Sequence, residues 1–107
     1  MSSAAAISLS QMQQAFRPKQ AEGLDATFNF DLAGDGGGQW QMRIADGACA
    51  LGGGLAPEAD VTIHSSAEDW VAMLTGELDD TTAYMSGRLR IDGDMDLAER
   101  LSDFFAK

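Results

Sequence analysis

Hydrophobic and polar positions alternate with a period of two in four stretches of the chain. From Asp25 to Leu32, Phe28, Phe30 and Leu32 fall on one side and Thr27, Asn29 and Asp31 on the other. Gln39 to Ile44 repeats the pattern with Trp40, Met42 and Ile44. Asp60 to His64 (Val61 and Ile63 inward) and Arg88 to Asp92 are shorter versions, and Ala48 to Leu51, which follows the Asp46-Gly47 turn, is expected as a further strand. That period predicts strands with one wet face. The glycine-rich segment from Gly34 to Gly38 and the Asp46-Gly47 pair between the first three stretches predict hairpin turns.

Elsewhere the period is helical. Leu9, Met12 and Phe16 share a side, with Ser8 or Ser10 as the expected cap and Pro18 as the stop, opening a further turn that runs to Gly23. Ser65 and Ser66 ahead of Glu68 and Asp69 predict a capped helix carrying Trp70, Val71, Met73 and Leu74, closed by Gly76. Asp79 or Asp80 starts the next, with Ala83, Tyr84 and Met85 before Gly87. Asp94 caps a closing helix whose Leu97, Ala98, Leu101, Phe104 and Phe105 form one broad face. The expected fold is α+β: helices on one face of a largely antiparallel sheet, in a single domain over residues 1–107.

At 107 residues the chain supports one core, within a radius of gyration of about 13 Å. Seventeen acidic residues against seven basic ones give a formal charge of -10. Nucleic acid and anionic bilayers would be repelled, so no nucleic-acid partner and no stable membrane anchoring are expected. The single cysteine, Cys49, has no internal disulfide partner, which agrees with a reducing compartment. The first residues, MSSAAAISLSQMQQ, lack the basic start and apolar centre of a secretion signal, and no apolar run is membrane-length. The simplest expected address is the cytoplasm.

Candidates for chemistry are few. Both glycine runs lie between strands, and neither leads into a helix through Gly-Lys-Ser or Gly-Lys-Thr, so they read as turns and not phosphate loops. His64 and Cys49 lack a third group to hold the imidazole and an environment that lowers the thiol pKa. Asp92, Asp94, Asp96 and Asp103 mimic calcium-loop spacing, but Leu97 stands where the loop requires glycine, so capping is the better reading. No cofactor or metal is expected. What remains is apolar and rich in methionine and aromatic residues. A plain core is the default reading of that set, though Met and Phe also suit an adaptable lipid cavity.

The segment Met85-Ser86-Gly87-Arg88-Leu89-Arg90-Ile91-Asp92-Gly93-Asp94 resembles the sterol carrier protein (type two) family. Ala98 and Leu101, Asp60-Val61-Thr62-Ile63, Trp70 with Leu74, Thr75-Gly76, and Ala21-Glu22-Gly23-Leu24 leading into Phe28 to Leu32 are similar in co-linear order over residues 10–105. The resemblance implies a curved five-stranded sheet with helices enclosing an apolar tunnel for fatty acyl chains, acyl-CoA, sterols or phospholipids. It implies no universal catalytic residue. By position, Trp70, Met73, Leu74, Met85, Leu97, Leu101, Phe104 and Phe105 would form the helical wall, and Phe30, Trp40 and Ile63 the sheet side. The ending Phe-Phe-Ala-Lys is not the peroxisomal Ser-Lys-Leu, and the acidity departs from the family's basic lipid-transfer members. The expected function is intracellular lipid binding by a monomer or weak homodimer that is not an enzyme. Two alternatives stand beside it: a ligand-free interaction or dimerisation module with a collapsed tunnel, and an enzyme centred on His64.

Overall fold

The computed structural model describes residues 4–105, the side chain of Ser102 excepted. Helix α1 (Ala4–Gln14) and a 3-10 turn (Pro18–Ala21) lead into β1 (Asp25–Ala33), β2 (Gly38–Ala45) and β3 (Ala48–Gly53). Then come β4 (Val61–Ser66), α2 (Ala67–Thr75), α3 (Asp80–Met85), β5 (Leu89–Gly93), α4 (Met95–Arg100) and a closing 3-10 turn (Leu101–Phe104). The five strands form one sheet in the order β3-β2-β1-β4-β5.

All neighbours pair antiparallel except β1 and β4, which run parallel from Phe28 opposite Val61 to Ala33 opposite Ser66. The sheet is therefore mixed. Its reason is the meander: β1, β2 and β3 grow outward from one edge of β1, so the chain must return to the other edge. A return that ends beside β1 in the same direction leaves β4 pointing into α2. Two short helices then turn the chain back for the antiparallel β5.

The register lines up one dry face. Gly53, Trp40, Phe30, Ile63 and Ile91 form one row across the five strands; Leu51, Met42, Phe28 and Val61 form the next. Phe28, Phe30, Met42, Ile44 and Val61 are fully buried there, and Trp70 of α2 meets Phe30 edge-on at 5.2 Å. Each such side chain contributes roughly 1.5–3 kcal/mol by leaving water. The opposite face carries Asp31, Arg43, Thr62, His64, Arg90 and Asp92.

Two element ends differ from the sequence expectation. Helix α1 starts at Ala4, ahead of both expected caps, and Ser8 lies buried inside it. Its hydroxyl donates to the Ala5 carbonyl and accepts from the Trp70 indole N–H at 3.0 Å, so it ties α1 to α2 instead of starting a helix. The closing helix also stops at Arg100 and tightens into the 3-10 turn, after which Phe105 bridges back to Phe16. The Arg17 N–H donates to the Phe104 carbonyl at 2.6 Å, and the Phe16 and Phe105 rings lie 6.0 Å apart. This pairing with the segment after α1 draws the chain out of α-geometry. The other caps are as expected: Ser66 accepts from the Asp69 N–H, Asp79 from Thr82, and Asp94 from Asp96 and Leu97. Gly76 closes α2 in the left-handed conformation.

Gly93 sits at φ +114 where a Cβ would run into the Asp60 carbonyl, whose oxygen accepts from the Asp94 N–H. Gly93→Ala should destabilise the fold by about 2 to 4 kcal/mol, combining backbone strain with a backbone clash. Urea denaturation checks it: the midpoint should fall with little change in slope.

Candidate functional site

Of the eleven positions expected from the sequence to line a site, six are buried in the apolar core: Phe30, Ile63, Trp70, Leu101, Phe104 and Phe105. Trp40, Met73 and Leu97 are half-buried and pack against the same core. Leu74 and Met85 stand apart, 44% and 81% exposed, on the surface of α2 and α3. The six-residue α3 turns only Ala83 fully inward, leaving Tyr84 and Met85 in solvent. Helix α4 is the lightest-held part of the cover. None of its residues is fully buried, and Leu97 and Ala98 are its half-buried contacts.

Small residues complete the interior in a way the hydrophobic pattern did not reveal. Ala5, Ala21, Ala26, Ala67 and Ala83 are all buried, letting helices lie close to the sheet. An alanine carries no periodic signature strong enough to mark it as inward.

An open groove of about 580 Å³ flanks the start of α2 at one end of the sheet. Ala67, Val71, Ala72 and Leu78 give it an apolar floor, and Asp35, Glu68, Asp69, Glu77 and Arg88 ring it. None of the eleven positions borders it. A shallower depression of about 350 Å³ runs along α1 beside Ile7, Ser10 and Gln14.

His64 and Cys49 do not meet. Cys49 pairs opposite Ile44 on the dry face of β3, whereas His64 lies on the wet face of β4, across two intervening strands. The His64 ring sits between carboxylates, Nδ1 at 3.3 Å from Asp31 and Nε2 at 3.1 Å from Asp92. Arg90 reaches the same Asp92 at 3.3 Å. These partly exposed contacts add little stability. Burial pushes the Cys49 thiol well above its ordinary value, to about 11, which is the behaviour of a packing residue and not of a nucleophile.

The sequence model of the SCP-2 sterol transfer family matches residues 8–106. The chain belongs to that family. Hydroxysteroid dehydrogenase-like protein 2 of Danio rerio is 38% identical over 90 residues, which are 83% of this chain and 22% of that protein. The SCP-2 domain thus spans about a fifth of the length of the curated relatives it matches. The solution structure of the sterol carrier protein domain 2 of Helicoverpa armigera superposes with a TM-score of 0.81 at 23% identity, over 95% of this chain and 85% of that one. Sterol Carrier Protein-2 from Aedes aegypti, solved in complex with the C16 fatty acid palmitate, gives 0.74 at 17% identity, over 99% and 97%. At these identities the structures share the fold: five strands in one mixed sheet covered by helices. Family membership supports lipid binding or transfer as the class of function.

Two measurements follow from this geometry. Because burial favours the neutral thiol, iodoacetamide should alkylate Cys49 at pH 8 on the order of 100-fold more slowly than in urea-unfolded chain, with the rate climbing towards pH 11. Trp70→Phe removes the indole donor to Ser8 and should lower stability by about 1 to 2 kcal/mol, read as a reduced urea midpoint.

Proposed function

We infer that this domain binds an apolar lipid, of the class of fatty acids, acyl-CoA or sterol-like molecules, between the dry sheet face and the helical cover, and catalyses no reaction of its own. The observation that supports the reading is the row Trp40, Phe30, Ile63 and Ile91, with Trp70 of α2 set against Phe30. It is a broad apolar surface with few polar groups to hold anything but hydrocarbon. The palmitate complex of the Aedes aegypti relative supports the same class of guest.

The interior is filled by side chains in the present conformation. Physics favours that for a chain without its ligand. A chamber of about 300 Å³ left empty would cost on the order of 7 kcal/mol, against a net stability of about 5 to 15 kcal/mol. Binding therefore requires the cover to move outward. Helix α4, from Met95 to Arg100, is the natural lid, since it has the least burial to lose. Methionine at the half-buried Met73 suits a wall that repacks around a guest. The proposed setting is the cytoplasm, with the lipid as partner and no cofactor.

A filled interior together with exposed Leu74, Tyr84 and Met85 also fits a ligand-free interaction module. One experiment separates the two. Lipid extracted from purified protein should contain a stoichiometric acyl or sterol species by mass spectrometry. Adding that lipid to stripped protein at 100 times its Kd should supply about 2.7 kcal/mol, raising Tm by about 10 °C or more. No bound lipid, no saturable uptake of a fluorescent acyl probe, and a concentration-dependent dimer mass in sedimentation would instead favour the interaction module.

A further inference from the structure

Three polar side chains are buried among the described residues: Ser8, Asn29 and Ser65. Two are fully provided for. The Ser8 hydroxyl both donates and accepts, and the Asn29 amide exchanges two hydrogen bonds of 2.9 Å with the Ala56 backbone. Ser65 differs. Its Oγ meets no hydrogen-bond partner among the described residues, although the residue is only 8% exposed. A hydroxyl offers one proton and two lone pairs, and burying it unpaired is unfavourable. An unpaired buried hydroxyl in an otherwise satisfied protein calls for an explanation.

Its place in the fold supplies one. Ser65 alternates with Val61 and Ile63, so it belongs to the dry face of β4, between Leu32 of β1 and Leu89 of β5. It lies one row from Trp40, Phe30, Ile63 and Ile91. Ala67, two residues on, and Arg88, beside Leu89, both line the 580 Å³ groove, so the groove opens next to it. The hydroxyl is thus a buried polar point on the groove-side end of the apolar sheet face.

Charge narrows what it would receive. Residues 67–105, which supply α2, α3, β5, α4 and the closing turn, hold ten acidic side chains and three basic ones. The groove itself is ringed by Asp35, Glu68, Asp69 and Glu77 against Arg88 alone. A carboxylate head group, and far more a coenzyme A group, would approach against this field.

We propose that Ser65 anchors the head group of an uncharged, hydroxyl-bearing lipid, such as a fatty alcohol or a sterol, and that the acidic surround disfavours free acids and acyl-CoA. This rests on the lipid-binding reading above and gives it a head-group class. The test uses displacement of a pyrene-labelled hydrocarbon by dodecane, dodecanol, dodecanoate and lauroyl-CoA.

Ser65→Val should weaken dodecanol about 5- to 10-fold while leaving dodecane within about twofold. Ser65→Thr keeps the hydroxyl and should retain the dodecanol affinity. In the unsubstituted protein dodecanol should outcompete dodecanoate and lauroyl-CoA at about 20 mM NaCl, with the gap narrowing at about 500 mM as screening sets in. Equal losses for dodecane and dodecanol, or no loss for either, would reduce Ser65 to a packing residue and overturn the proposal. Tighter binding of dodecanoate or lauroyl-CoA at low salt would overturn the head-group class. Failure of the pyrene probe itself to bind would reject the lipid reading, and this proposal with it.

Discussion

Keeping one face of a five-stranded sheet dry is the constraint on which the rest of this structure depends. Phe28, Phe30, Met42, Ile44, Val61 and Ile63 all point the same way, and among the described residues no second sheet covers them. Helical pieces of four to eleven residues do it instead. Such short helices are marginal by themselves, so tertiary contacts fix them. The ties are specific: Trp70 against Phe30 and Ser8, Phe105 against Phe16, and Arg17 on the Phe104 carbonyl. The end of the described chain is thereby stitched to the segment that follows α1.

A cover made of short pieces is stable as an assembly yet divisible. Helix α2 is held by a buried tryptophan and a cap at each end. Helix α4 is held by half-buried contacts, an Asp94 cap and the turn that follows. This gradient of burial is what lets a small domain hold its sheet rigid while yielding at one side. Local opening of weakly buried segments is a general property of folded chains.

Charge divides the molecule in a second way. The interior is apolar, and the acidic residues concentrate on the cover and the groove rim. The wet sheet face carries His64 between Asp31 and Asp92, with Arg90 beside them, and mixes both signs. A surface of this kind resists polyanionic partners without affecting an uncharged guest. Family membership fixes the architecture, while the function has to be argued from the site and the surface around it.

Much of this was legible in the residues. Alternation marked four strands and the side each would bury, because a half-buried strand has a period of two that few other conformations share, and the Asp46-Gly47 turn marked the fifth. Ser66, Asp79, Asp94 and Gly76 announced their helix ends through their own hydrogen-bonding chemistry or backbone freedom. The motif from Met85 to Asp94 pointed to the family. Leu74 and Met85, though apolar and rightly spaced, stand in solvent, because α2 and α3 are too short for every apolar residue to face the sheet.

Local chemistry, then, determined the elements, their caps and the inward face, since each depends on neighbours within a few positions. Only the tertiary structure decided that β4 runs parallel to β1, that Ser8 is a tie and not a cap, and that the closing helix tightens after Arg100. It alone also left Ser65 without a partner. Each of these depends on residues distant along the chain and brought together by folding, such as Trp70 with Ser8 or Phe105 with Phe16, and no local pattern encodes which distant groups will meet.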